Sequence, residues 1–197
     1  MSSLLYIFLL LAVFISHRGV TTEAAVEPVK DINGKPLLTG VKYYILPVIR
    51  GRGGGLTMAN LKTETCPTSV IQDQFEVSQG LPWIFSPYDK SRIIPVSTDV
   101  NIKSSPTSIW ELANFDETTK QWFISTCGVE GNPGQKTVGN WFKIDKFEKD
   151  YKIRFCPTVC NFCKVICRDV GVFVQDGKRR LALSDIPLKV MFKRASY

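Results

Sequence analysis

Four of the chain's six cysteines fall within one short stretch, Phe155 to Gly171 (FCPTVCNFCKVICRDVG). Three chemistries compete for them. Cys156, Cys160 and Cys163 have the C-x3-C-x2-C spacing with which radical enzymes hold an iron–sulfur cluster. Four thiolates could hold zinc, although zinc more often takes two C-x2-C knuckles across a longer loop. The third reading is a nested pair of disulfides, Cys156–Cys167 outside and Cys160–Cys163 inside. The choice depends on compartment, because thiolates persist in the cytosol and oxidise along the secretory route.

The N-terminus speaks to compartment. Leu4 to Ile15 (LLYIFLLLAVFI) is an apolar run too short to span a bilayer comfortably. Small residues follow at Thr22, Ala24 and Ala25, so residues 1–25 read as a secretory signal peptide, cut after Ala24 or Ala25. A membrane anchor is disfavoured: nothing basic lies close before the run and no second apolar run follows. Disulfides are then the expected state. Residues 26–197 make one domain with room for a real core, expected outside the cell, in the apoplast, and free of the membrane.

The formal charge is +7, and cleavage removes one cation and one anion, leaving it unchanged. A basic secreted chain suits anionic surroundings, or is simply kept soluble by its charge; nucleic acid is not an expected partner there. The one histidine, His17, leaves with the signal segment. A mature chain without histidine runs no Ser-His-Asp or Cys-His mechanism and builds no His-ligated metal site. GxSxG, P-loop and HExxH motifs are absent too. The carboxylate pairs Asp116/Glu117 and Glu148/Asp150 lie among turn residues and read as solvated tips. The chain is not expected to be an enzyme or to carry a cofactor or metal.

The rest is punctuated like an all-β protein. Val41 to Val48, Leu56 to Met58, Ser69 to Gln72, Trp83 to Ser86, Val96 to Lys103, Ile109 to Phe115, Gln121 to Thr126, Trp141 to Ile144, Tyr151 to Phe155, Val170 to Gln175, Leu181 to Ser184 and Lys189 to Lys193 read as strands. Asn33-Gly34, Asn132-Pro133-Gly134 and Asp176-Gly177 are turns between them. GRGGG at Gly51 to Gly55 lacks the Gly-Lys-Ser/Thr ending of a phosphate cradle and reads as a backbone-packing loop. YYIL (Tyr43 to Leu46), IWEL (Ile109 to Leu112) and YKIRF (Tyr151 to Phe155) form a faint, unevenly spaced repeat compatible with threefold symmetry. About a dozen short strands argue for a barrel or sandwich.

VKDINGKPLLTGVKYYILPV, then GGGLT, CPTSVIQ, VSTDVNIK, YKIRFCPTVC…CRDVG and RRLALSD together resemble the plant Kunitz-type (soybean trypsin inhibitor) family, and within it the miraculin-like branch. The likeness runs from about Val29 to Lys193. It implies a β-trefoil: twelve strands, a six-stranded barrel with a hairpin cap, and pseudo-threefold symmetry. It also implies inhibition of a trypsin-like serine protease through an exposed loop between the fourth and fifth strands.

The chain departs from the family in places. The family's first disulfide joins the cysteine matching Cys66 to one shortly before the IWEL tryptophan, where KSSPTSIW has none. Cys127 appears instead, on the expected hairpin partner of that strand, so the even count makes Cys66–Cys127 the economical pairing; two free thiols or an intermolecular bridge are the alternatives. Arg52 stands where the taste-modifying member needs a histidine, and Glu148 or a neighbour where that protein's chains are cross-linked. Acid-triggered taste modification is therefore not expected, and a monomer is.

The loop in question, SPYDKSRIIPVST, holds Pro87, Tyr88, Asp89, Lys90, Ser91, Arg92 and Ile93. Trypsin-like pockets end in a carboxylate, so one basic side chain carries much of the recognition. Counting back from VNIK, the family's primary residue falls on Lys90, with Ser91 across the bond. Arg92–Ile93 instead reproduces an Arg-Ile pair of the family. Loop shape follows residue count, so Lys90 is the expected residue. Thr39 matches the family's loop-supporting asparagine and, with a shorter hydroxyl, predicts a less rigid loop. The competing reading is a non-inhibitory trefoil that stores nitrogen or binds a defence partner.

Overall fold

The computed structural model of the protein describes residues 27–61 and 68–196. Its twelve strands are β1 (Lys42–Pro47), β2 (Leu56–Asn60), β3 (Thr68–Gln72), β4 (Pro82–Pro87), β5 (Asp99–Ser105), β6 (Ser108–Asp116), β7 (Gln121–Gly128), β8 (Phe142–Phe147), β9 (Asp150–Phe155), β10 (Arg168–Gln175), β11 (Lys178–Ser184) and β12 (Val190–Arg194).

Pairing sorts the strands into two sets. β1, β4, β5, β8, β9 and β12 pair each with the next, and β12 returns to β1, closing a six-stranded antiparallel barrel. The hairpins β2–β3, β6–β7 and β10–β11 cap it. They meet one another through Ser69 opposite Ser125, Ala182 opposite Phe123, and Arg179 and Arg180 opposite Gln72 and Ile71. Four strands per third and a three-hairpin cap make a β-trefoil. Closure leaves the barrel without an open edge.

Period-2 alternation drives the strands inward. β4 buries Trp83, Phe85 and Pro87 and turns Ile84 and Ser86 toward half-exposed positions. The buried rings run through the core edge to face: Trp83 to Trp110 at 5.3 Å, Trp110 to Phe142 at 5.6 Å, Phe142 to Phe155 at 5.5 Å and Phe85 to Phe192 at 5.5 Å. Edge-to-face contact adds about 0.5–1.5 kcal/mol per pair beyond burial.

Two sequence expectations need correction. The faint repeat is out of register: YYIL and YKIRF lie on barrel strands β1 and β9, but IWEL lies on cap strand β6. An aromatic-aliphatic alternation suits any half-buried strand and does not tell barrel from cap. Val96 to Thr98 is not strand, since Val96–Ser97 form a turn before β5 and Ser97 has φ 59°. Between the Asn-Pro-Gly turn and the next strand, in a stretch that carries no sequence expectation, Gln135–Asn140 forms a 3-10 helix.

The glycine run packs as expected. A Cβ on Gly54 would lie 2.2 Å from the Phe75 carbonyl, and one on Gly55 2.0 Å from that of Gln79, distances only glycine tolerates. Of the three chemistries open to the cysteine block, the structure forms the nested disulfides Cys156–Cys167 and Cys160–Cys163. Cys127, on β7, is also disulfide-bonded, while Cys66 and the signal segment lie outside the described residues.

Candidate functional site

The β4–β5 connection, residues 88–98, stands at one end of the barrel and is built in three parts. A turn opens it: the Lys90 N–H donates to the Pro87 carbonyl at 3.1 Å, and Lys90 takes φ 57°. Asp89 Oδ1 accepts the Ser91 N–H at 3.0 Å, and Ser91 Oγ donates to the Ile93 carbonyl at 2.8 Å. Asp89 thus spends its carboxylate on the loop's own backbone, and it forms no ion pair with Lys90 or Arg92 among the described residues.

The middle of the loop is stapled from beneath by the chain's own beginning. Thr39 Oγ1 donates to the Ser91 carbonyl at 2.7 Å and the Thr39 N–H to the Arg92 carbonyl at 2.9 Å. Leu38 bridges Ile93 and Pro28 bridges Pro95. The Ile94 N–H donates to Leu37 at 2.9 Å, its carbonyl accepts from Val29 at 2.8 Å, and the Val96 N–H donates to Glu27 at 2.9 Å. Ile94 and Pro95 are buried by this segment, while Tyr88, Asp89, Lys90 and Arg92 stay exposed.

At the root, Asp99 is 2% exposed and joins three pieces of chain. Its carbonyl accepts the Tyr88 N–H at 3.0 Å. Its Oδ2 accepts both the N–H and the hydroxyl of Thr158, at 2.9 and 2.6 Å, and Lys143 Nζ lies 3.7 Å from its Oδ1. A polar group this buried needs such partners to offset its lost hydration. The cysteine block is therefore fastened to the root of the exposed loop. Neither Asp99, Thr158 nor the Glu27–Leu38 staple was evident from the sequence. The one signal available was an acid, Asp99, within a segment read as strand.

Two properties separate the basic candidates. The Arg92 carbonyl is taken by Thr39, whereas among the described residues no donor reaches the Lys90 carbonyl. Conversely, Lys90 is the one in the left-handed region. Among the described residues no His, Cys, Asp and Glu cluster suited to a metal occurs. The arrangement can present a short peptide segment, with a free carbonyl and a cation, in a largely preset shape.

Comparison with known proteins agrees with this architecture. The profile of the legume Kunitz family, described as trypsin and protease inhibitor, matches residues 29–194. Kunitz trypsin inhibitor 5 of Arabidopsis thaliana is 95% identical over 195 residues, covering 99% of this chain and all of that protein. Miraculin of Synsepalum dulcificum is 42% identical over 210 residues, covering 99% and 96%. Among solved structures, the potato Kunitz-type cysteine protease inhibitor PCPI-3 superposes with a TM-score of 0.76 at 32% identity, covering 87% of this chain and 99% of that one.

Proposed function

The chain belongs to the legume Kunitz family of trypsin and protease inhibitors, and we propose that this protease inhibitor acts on a trypsin-like serine protease by presenting the β4–β5 loop as a bound substrate mimic. The observation that carries the reading is the stapling. From Ser91 to Val96 the loop backbone is held by residues 27–39, so little ordering entropy is lost when a protease closes over it.

Lys90 supplies the cation and Lys90–Ser91 the bond. Attack on a peptide carbonyl puts negative charge on its oxygen, which protease backbone donors must reach. The Lys90 oxygen is open to them and the Arg92 oxygen is not. Docking requires the Pro87–Lys90 turn to open and Lys90 to leave φ 57°, losing one neutral hydrogen bond of about 0.5–1.5 kcal/mol. Thr39, holding the carbonyl just past the bond, is the supporting residue. The protein works outside the cell as a monomer after loss of residues 1–25, with Cys66 paired to Cys127, in keeping with a disulfide-bearing chain.

Titration of trypsin with the purified mature chain tests this. Lys90→Ala is expected to remove most inhibition and Arg92→Ala less. The reverse order would move the bond to Arg92–Ile93, and no effect from either, or no inhibition at all, would favour the non-inhibitory storage or partner-binding trefoil.

A further inference from the structure

A second surface is built around the far side of the glycine run. A cleft of about 280 Å³ opens between the segment after β1, the outer face of β10 and the β11–β12 connection. Its walls are apolar: Ile49, Val174 and Ile186 contribute, and these are 52%, 58% and 81% exposed. Exposed aliphatic side chains scattered singly are ordinary, but these three converge on the walls of one cleft.

The floor is polar and incompletely satisfied. Gln72, 1% exposed, faces Arg179 across the β3–β11 pair, and Arg179 Nε donates to Gln72 Oε1 at 3.0 Å. That bond fixes the amide orientation and leaves Gln72 Nε2 buried without an acceptor. Gly53, at φ 99°, lets the loop lie over this pair, since a Cβ there would sit 2.7 Å from the Asp73 carbonyl and 3.1 Å from Gln72 Cδ. An unpaired buried donor is costly, and an incoming acceptor would relieve it.

Charge completes the pattern. Arg52, Arg179 and Lys189 line the cleft, and no carboxylate does. Lys189 is already paired with Glu148 at 2.5 Å and Asp150 at 3.3 Å. Arg52 and Arg179 have no ion-pair partner among the described residues.

We infer that this cleft binds a small amphipathic carboxylate, its apolar body against Ile49, Val174 and Ile186 and its anionic head toward Arg52, Arg179 and the Gln72 amide. The volume falls just below the usual range for ligand pockets, about 300–1,000 Å³, which suits a medium-chain acid rather than a bulky lipid. The site is independent of the protease-contact loop.

The test is calorimetric and NMR titration of the mature chain with decanoate, kept below its micelle concentration. The expected result is saturable one-site binding, with amide shifts confined to residues 47–53, 72, 172–179 and 184–189. Decanol should bind roughly tenfold more weakly or worse, since a charge-assisted hydrogen bond is lost, and decyltrimethylammonium should not bind. Arg52→Glu should weaken decanoate by a similar factor, and Ile186→Asp should abolish binding, both with unchanged trypsin titration. Equal affinity for decanol and decanoate, indifference to Arg52→Glu, or binding to anionic vesicles without binding to decanoate would each overturn the proposal.

Discussion

Two loops meet at Asp99 and are held in opposite ways. Residues 157–166 are closed by Cys156–Cys167 and braced inside by Cys160–Cys163, so their shape is set within eleven positions of chain. Residues 88–98 contain no covalent tie. They are held by hydrogen bonds donated by Thr39 and Val29 and accepted by the Leu37 and Asp99 carbonyls, and the Thr39 side-chain contact spans 52 positions. A covalent loop keeps its shape whatever its neighbours do. A stapled loop keeps its shape only while the whole barrel stands, but it leaves its exposed backbone free for a partner, which suits a segment that must be presented.

Breaking the covalent side should have the largest effect on stability. The double variant Cys156→Ser/Cys167→Ser is expected to lose about 2–4 kcal/mol in urea unfolding, with trypsin inhibition largely kept wherever the protein stays folded. Loss of inhibition at unchanged stability would show that the two loops are not held separately.

Asp99→Ala attacks the shared root and should cost about 1–3 kcal/mol, because the Thr158 N–H and Lys143 lose a buried acceptor. It should also speed cleavage of the bound loop by trypsin, followed by mass spectrometry. Thr158→Val, measured alone and combined with Asp99→Ala, gives their coupling through a double-mutant cycle.

Thr39→Val removes one staple while keeping shape, with an expected stability change of about 0.5–1.5 kcal/mol and a larger proportional rise in the trypsin inhibition constant. Thr39→Asn, with a longer reach, should tighten inhibition. Its gain should be modest, because the Thr39 N–H bond to Arg92 does not depend on the side chain. No change in either variant would remove Thr39 from the loop's support.

The smallest effect belongs to an exposed turn remote from both loops, which serves as a control. In the β6–β7 turn, hydrogen bonds from the backbone of Thr119, opposed in part by burial and joined by that of Thr118, hold the Asp116 carboxyl below its ordinary value of 3.8. A depressed folded pKa contributes stability above the unfolded value and loses it as pH falls through the folded one. Asp116→Asn should therefore flatten the acid limb of stability below about pH 4 and leave inhibition untouched.

The sequence by itself determined the strands, the turns between them and the family, because period-2 alternation, glycine-bearing turns and several ordered motifs are local properties of the chain. It also narrowed the cysteine block to a few chemistries, since Cys156 to Cys167 are close along the backbone. It could not tell barrel from cap, as IWEL shows, because alternation records that a strand is half buried and not which strand it pairs with. Residue count singled out Lys90, and a motif match Thr39. Only the tertiary structure decided that Thr39 reaches two carbonyls of the loop, that Asp99 ties the loop to Thr158, and that Gln72, Arg179 and Arg52 share a cleft. Those groups are separated by tens of residues, and only closing the barrel and its cap brings them together.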